Sequence, residues 1–113
     1  MSDEAIEKRM QELRETAQKY AKAVATREHL DEFKKSKLAI LMKKYERDGF
    51  TSAVAQEREA RADASYIELL DGLKDAIQAS EGLRWELKIA EIGAEVWRTQ
   101  QASKRAERNG YRA

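Results

Sequence analysis

The stretch from Leu83 to Trp97, LRWELKIAEIGAEVW, contains both tryptophans of the chain and its densest run of apolar residues. Drawn as an α-helix at about 100° per residue, it has two apolar faces. The first face continues a longer apolar pattern and consists of Leu83, Leu87, Ala90, Ala94 and Trp97. The second face lies roughly opposite the first and consists of Trp85, Ile89, Ile92 and Val96.

A helix on the surface of a globular protein needs one apolar stripe, whereas this helix has two. We therefore expect a neighbouring helix on each side of it. A chain of few helices can supply one neighbour itself, so a second copy is expected to supply the other. The predicted oligomer interface is the second face, namely Trp85, Ile89, Ile92 and Val96.

The composition is typical of long helices and coiled coils. The 113 residues suggest one domain, and they include no proline, 38% charged residues and only 7% aromatic residues. Regular apolar spacing argues against disorder, the competing interpretation of so high a charge content. Because there is no cysteine, disulfides and thiol chemistry are excluded.

Apolar residues recur in steps of four and three along both halves of the chain, which predicts two long helices. The first helix covers about 3–47, with a slip in its rhythm at Arg27, and the turn covers about 47–52 around Asp48 and Gly49. The second helix covers about 53–108, and 109–113 form a frayed basic tail. The apolar seam of the first helix begins with Ile6, Met10, Leu13, Ala17, Tyr20 and Val24. The seam of the second helix is Ala62, Tyr66, Leu69, Leu73, Ala76, Ser80, Leu83, Leu87, Ala90, Ala94, Trp97 and Gln101.

These elements predict an all-α fold: a single helical domain shaped as a long antiparallel helical hairpin, resembling a coiled coil. A two-helix hairpin buries little surface for its size. A homo-oligomer, most simply a dimer that forms a four-helix bundle, would cover the remaining apolar residues. The alternative is a break near Gly72–Gly82, which would give a compact three-helix bundle.

The net charge of +1 conceals a segregation of charge along the chain. Residues 33–48 have six basic and two acidic side chains, and residues 96–113 have five basic and one acidic. Residues 49–95 between them have five basic and ten acidic side chains. Basic clusters are typical of contacts with the phosphate backbone of nucleic acids. The candidate nucleic-acid-binding residues are Lys34, Lys35, Lys37, Lys43, Lys44, Arg47, Arg98, Lys104, Arg105 and Arg108.

Nearby aromatic side chains could stack on unpaired bases; they are Phe33, Tyr45, Phe50 and Tyr111. Two other interpretations of the basic blocks stay open. Basic residues near the C-terminus of a helix complement its dipole. They could also pair with the acidic middle of a second copy, in which case they serve assembly rather than DNA contact.

No catalytic or metal site is predicted. His29 is the only histidine, and transition-metal sites usually need several converging ligands. Glu91 and Glu95 are one helical turn apart, but Lys88 and Arg98 extend the same row, which favours ion pairs on a solvated face over acid–base catalysis. There is no Gly-rich phosphate loop. We expect a protein that is not an enzyme, with no cofactor and no small-molecule substrate.

Four segments resemble a family of small, largely uncharacterised helical proteins of tailed bacteriophages and prophages. The segments are FKKSKLAILM (33–42), SAVAQEREA (52–60), YIELLDGL (66–73) and LRWELKIAEIGAEVWRTQQASKRAE (83–107). Members are typically encoded near single-strand annealing recombinases and single-strand-binding proteins. The resemblance implies a role in phage DNA recombination or replication, and it implies no catalytic motif.

The leading functional hypothesis is therefore a DNA-recombination accessory: a self-associating helical scaffold that contacts single-stranded DNA, or the proteins bound to it, through its basic ends. The alternative is an adaptor or inhibitor of a host protein that makes no DNA contact, and a third possibility is a coiled-coil component of the virus particle. No apolar run approaches the ~20 residues of a membrane span, and MSDEAIEKRM has no apolar core of a signal peptide. The expected location is the cytoplasm of the host cell.

Overall fold

The computed structural model describes residues 2–110 and the backbone of Tyr111. Within that range the chain forms three helices and no strand: α1 (Asp3–Arg47), α2 (Ala53–Ala62) and α3 (Ala64–Tyr111). The predicted all-α class is confirmed. None of the helices in the described range is long and apolar enough to cross a membrane.

Local side-chain bonds and one glycine fix the reversal between α1 and α2. After α1 ends at Arg47, Gly49 adopts a φ of 104°, a left-handed conformation that glycine reaches without steric cost. Ser52 then begins α2, because its hydroxyl accepts a hydrogen bond from the amide of Ala55 at 3.1 Å. As a result α2 turns back, and Ala60 packs against Leu41 of α1.

The second arm of the chain contains two helices, so the expectation of one helix over residues 53–108 was wrong. Asp63 interrupts it with an extended ψ of 135°. Its carboxylate accepts a hydrogen bond from the amide of Ser65 at 2.8 Å, and its carbonyl oxygen accepts one from the amide of Tyr66 at 3.0 Å. Aspartate competes with helical hydrogen bonding in this way, so it ends α2 and begins α3 within one residue.

No further break follows in α3. The helix continues through Gly72 and Gly82, so the alternative with a break between them is not formed. It also extends through Asn109 and Gly110, past the expected end at 108. The last two residues of the predicted tail, 112–113, lie outside the described range.

The long helices α1 and α3 lie side by side and antiparallel. Arg27 donates a hydrogen bond to Ser80 at 3.0 Å, and Leu41 shares a buried cluster with Tyr66. Each interval, from Arg27 to Leu41 and from Tyr66 to Ser80, is 14 residues, so the register is constant between these two contacts. Extended toward the start of α1, the same register aligns Asp3 with about residue 104. The resulting rod measures 89 × 25 × 16 Å.

The slip in the apolar rhythm at Arg27 is a polar position within a continuous seam. Ser80 is fully buried, and its hydroxyl accepts the hydrogen bond of Arg27 while donating one to the carbonyl oxygen of Ile77 at 3.0 Å. Val24 and Leu30 on either side are half-buried. A polar pair in an apolar seam favours one register of the two helices over others, at some cost in stability.

Candidate interaction surfaces

The second apolar face of α3 is open to solvent. The exposed fractions are 51% for Trp85, 66% for Ile89, 53% for Ile92 and 51% for Val96. On the opposite face, Leu83 and Leu87 are half-buried, as expected of residues that lie toward α1. Thus α1 covers one of the two predicted faces, and nothing in the described part of the chain covers the other.

Coverage by α1 weakens toward the C-terminal part of α3. Ala94 is exposed, and Trp97 is 46% exposed although both belong to the predicted seam. Ile6 and Met10, at the same end of the rod, are also largely exposed. The two tryptophans are therefore similar in exposure but lie on different faces of the helix, which makes them a matched pair for substitution.

Arg84 forms an ion pair with Glu81 and a contact with Trp85 at the edge of the open face. The guanidinium of Arg84 lies 5.0 Å from the ring centroid of Trp85, within the range of a cation–π contact. Glu81 binds Arg84 through both its Nε, at 3.0 Å, and its Nη2, at 2.9 Å. The guanidinium of Arg84 thus contacts both the carboxylate of Glu81 and the indole of Trp85.

Charged residues run along one side of the open face in a row: Arg84, Lys88, Glu91 and Glu95 are all exposed. Glu95 pairs with Arg98, and Arg84 pairs with Glu81. Glu91 and Glu95 form no hydrogen bond with each other in the described structure, and the row lies on an open surface. This geometry offers no enclosed place for a substrate between the two carboxylates.

Three of the six basic residues in the block near the turn form ion pairs with acidic residues of the same chain. Lys34 lies 3.4 Å from Asp31, and Lys35 lies 3.4 Å from Glu32. Lys44 lies 3.5 Å from Asp63. Nearby acidic groups therefore offset much of the positive charge that the sequence concentrates here.

The other three candidates of this block differ in exposure. Lys37 is half-buried and lines a groove of about 330 Å³ between α1 and α3, together with Phe33 and Leu69. Lys43 and Arg47 are exposed and form no ion pair within the described range. The six basic residues of this block thus do not form one continuous cationic surface.

The basic block at the C-terminal end of α3 forms fewer ion pairs than the block near the turn. Arg98 pairs with Glu95, but Lys104, Arg105 and Arg108 are exposed and have no ion-pair partner among the described residues. The register of α1 and α3 brings the first turn of α1, with its acidic residues, to the same end of the rod. The structure separates this block from the turn block by most of the length of the rod.

Most of the aromatic side chains proposed to stack on bases already have intramolecular partners. Tyr45 donates a hydrogen bond to Asp63 at 2.7 Å, and Phe50 packs edge-on against Tyr45 with ring centroids 5.8 Å apart. Phe33 stacks on His29 at 6.1 Å. The side chain of Tyr111 lies outside the described part of the structure.

Asp63 is the most heavily hydrogen-bonded carboxylate of the structure, and we did not single it out from the sequence. One oxygen accepts from the hydroxyl of Ser65 at 2.6 Å and the other from Tyr45. The hydrogen bond from Ser65, followed by that from Tyr45, holds the pKa of Asp63 well below its usual range. The Asp-Ala-Ser order at 63–65 is a helix-cap signal that could have located this site.

The described residues contain no group of three or more His, Cys, Asp or Glu side chains placed to hold a metal ion. Their grooves are open and shallow, with apolar and lysine side chains on the walls. The open face of α3 and the unpaired basic residues at its C-terminal end are two exposed surfaces of the described chain. Comparison of the chain with protein-family models, with curated proteins and with solved structures finds no match.

Proposed function

We propose that this protein is a non-enzymatic helical scaffold that acts through self-association, with the open face of α3 as its interface. The observation that supports this proposal is the row of four large apolar side chains, Trp85, Ile89, Ile92 and Val96, each at least half exposed. Contiguous exposed apolar residues rimmed by charged ones are typical of protein–protein interfaces. Tryptophan is also enriched among the residues that contribute most to binding.

The small core favours association of the chain with itself. The buried residues in the described part of the chain are Leu41, Ala60, Tyr66, Leu73 and Ser80. Long, thin molecules bury a small share of their surface, and pairing of two copies would bury more. A homo-oligomer, such as the predicted dimer of two hairpins, is therefore the simplest partner for the open face.

A second candidate function is contact with single-stranded DNA, in line with the role in phage recombination or replication that the family resemblance implies. It is favoured by Lys104, Arg105 and Arg108, which are exposed and unpaired within the described range. The scaffold would then hold single-stranded DNA, or a protein bound to it, at the C-terminal end of α3 in the host cytoplasm. Adaptor or inhibitor binding to a host protein would instead use the apolar face alone.

One measurement addresses both candidates: molar mass by light scattering at micromolar concentration, with and without a single-stranded oligonucleotide. We expect a mass above the 13.0 kDa of one chain in both cases. If the basic end contacts DNA, the oligonucleotide will add to this mass at low salt, and affinity will fall steeply across a salt series.

Charge reversal of Arg98, Arg105 and Arg108 provides the variant for the DNA contact, and reversal of Lys22, an exposed lysine of α1 outside both basic blocks, is its control. A monomeric mass at all concentrations would contradict the scaffold proposal. No binding of the oligonucleotide at low salt would contradict direct DNA contact and would leave a protein partner as the target.

A further inference from the structure

We propose that a second copy of the chain binds the open face of α3 in antiparallel orientation, with the two-fold axis passing between Ala90 and Glu91. This inference rests on the self-association proposed above and specifies its geometry. It follows from the spacing of the apolar residues, the order of the charges beside them and the placement of a glycine.

The spacing of the four apolar residues is the same in both directions along the helix. The steps from Trp85 to Val96 are four, three and four residues. When two such helices run antiparallel, Trp85 lies level with Val96 of the second copy, and Ile89 lies level with Ile92. The pairing places a large side chain opposite a smaller one at each end of this apolar patch, the open face of α3.

The charges on one side of the patch are self-complementary in this orientation only. In an antiparallel dimer, each side of the patch meets the same side of the second copy, whereas in a parallel dimer it meets the opposite side. The order along this side is positive, positive, negative, negative: Arg84, Lys88, Glu91 and Glu95. An antiparallel partner therefore brings Arg84 near Glu95 and Lys88 between Glu91 and Glu95 of the second copy.

The other side of the patch has room for a close approach. There Glu86 would lie about 3 Å along the helix axis from the level of Gly93 of the second copy, and a Cβ added at Gly93 would meet no atom of the same chain within 4 Å. A glycine within a helix costs about 1 kcal/mol relative to alanine. In the antiparallel dimer, the side chain of Glu86 would occupy the space that a side chain at Gly93 would otherwise fill.

The net charges of the flanking segments favour the same orientation. Residues 98–108 have four basic and one acidic side chain, and they would lie beside residues 73–83, with two acidic and one basic. A parallel dimer would place the two copies of the basic segment side by side and would repel. The C-terminal basic block is thus complementary to the acidic middle of a second copy.

This geometry also specifies the arrangement of the four long helices. The open face lies opposite the face that α1 covers, so the second copy approaches α3 from the side away from α1. The four helices would therefore form a single layer, with the two copies of α3 at its centre. A square four-helix bundle would need the two contact faces of α3 to be roughly at right angles.

The first test exchanges the charges beside the patch. Arg84→Glu with Lys88→Glu makes all four positions negative, and Glu91→Lys with Glu95→Lys makes them positive. At low salt we expect each double variant alone to dimerise about tenfold more weakly or worse, because opposite-charge contacts become like-charge contacts. An equimolar mixture should form a heterodimer about as tightly as the original chain, whereas a control reversal at Lys43 should change nothing. Double variants that dimerise like the original chain, or a mixture that stays monomeric, would overturn the proposed pairing.

The second test measures orientation directly, using the absence of cysteine in the chain. Spin labels on Gln78→Cys or Gln100→Cys, both at exposed positions, should lie about 40 Å and about 30 Å from their counterparts in the second copy. A parallel dimer would give about 10–20 Å at both positions. A dimeric mass with the short distances overturns the antiparallel orientation alone, whereas a monomeric mass overturns self-association as well.

Discussion

Asp63 connects three parts of the molecule through one side chain. Its carboxylate accepts hydrogen bonds from Ser65, in the first turn of α3, and from Tyr45, near the end of α1. The ammonium of Lys44 lies 3.5 Å away. The bonded carboxylate also raises the pKa of the Tyr45 hydroxyl above its ordinary value. Since all of these contacts favour the ionised carboxylate, Asp63 stabilises the fold in its charged form.

The first prediction concerns the dependence of stability on pH. The folded state lowers the pKa of Asp63 below the unfolded value of about 3.9, so its stabilising contribution is fully present above that value. It is lost as pH falls from about 4 toward the lowered pKa of the folded state. We expect Asp63→Asn to lower the melting temperature at pH 7 and to have a smaller effect at pH 3, measured by circular dichroism.

The control for this experiment is Asp71→Asn, which changes an exposed aspartate of α3 without a hydrogen bond in the described structure. It should leave the melting temperature at pH 7 nearly unchanged. If the curves of the Asp63 variant and the original chain stay the same distance apart from pH 7 to pH 3, the proposed role of the ionised carboxylate is wrong.

Single residues also show where prediction from the sequence ended. Ser80 was expected in the seam of the second helix, and it is buried there. Arg27 was interpreted as a slip in the rhythm because a charged residue does not fit an apolar pattern. Its hydrogen bond to Ser80 depends on how α1 and α3 are aligned, and these helices are far apart in sequence. The apolar periodicity of one helix does not predict its alignment with another.

At the scale of elements, α3 contains glycines that are not required for its packing. A Cβ added at Gly72 would meet no atom within 4 Å, and the residue lies well inside the helix. In contrast, Gly49 has a φ of 104° in the turn after α1. Gly49 thus needs a backbone conformation that favours glycine, whereas the helical conformation at Gly72 is also open to residues with a side chain.

The second prediction compares alanine substitutions at these two glycines. Gly72→Ala should raise the free energy of unfolding by about 1 kcal/mol, because alanine loses less conformational freedom in a helix. Gly49→Ala should lower it by about 1–2 kcal/mol, because a side chain is strained in the left-handed conformation. Urea unfolding followed by circular dichroism measures both values.

The structure predicts that the two substitutions change the free energy of unfolding in opposite directions. Destabilisation by Gly72→Ala would mean that another helix approaches Gly72 closely in solution, for instance in the oligomer. Stabilisation by Gly49→Ala would mean that the turn does not need the left-handed conformation, which would contradict the structure at that point.

The helices were predictable because their signals are repeated many times, whereas the break at Asp63 rests on one residue. The expected seam steps from Ala62 to Tyr66 across Asp63, so the apolar pattern indicated a single helix. In the structure Ala62 is exposed, and Ala60 is the buried residue of α2. The interruption comes from hydrogen bonds of Asp63 to Ser65 and Tyr66. Such local side-chain bonds compete with the backbone hydrogen bonds of a helix, and the spacing of apolar residues in the sequence does not reveal them.

For the whole molecule, the sequence indicated two opposed apolar faces on α3, and the structure leaves one of them exposed. The periodic pattern shows which residues share a face, so Trp85, Ile89, Ile92 and Val96 could be grouped from their spacing alone. That spacing does not identify what covers them. The basic blocks were harder to interpret, because the pair of Lys44 with Asp63 joins α1 to the junction of α2 and α3 and offsets a charge that looks free in the sequence.

The third prediction concerns the dependence of stability on protein concentration. If folding and association are coupled through the open face, the melting temperature should rise with concentration, because mass action stabilises the associated state. Trp85→Ala should remove most of this dependence, since loss of a tryptophan that anchors an interface costs about 2 kcal/mol or more of binding free energy, roughly thirtyfold in affinity. Helicity should change little, because Trp85 is 51% exposed and lies outside the buried cluster of Leu41, Ala60 and Tyr66.

Trp97→Ala is the matched control, since Trp97 has a similar exposure on the face toward α1. It should lower the melting temperature by a similar amount at every concentration, because the contacts that it removes lie within one chain. A melting temperature of the original chain that stays constant over a hundredfold range of concentration would contradict association. An equal loss of concentration dependence in both variants would mean that the interface is not confined to the open face, because only Trp85 lies on it.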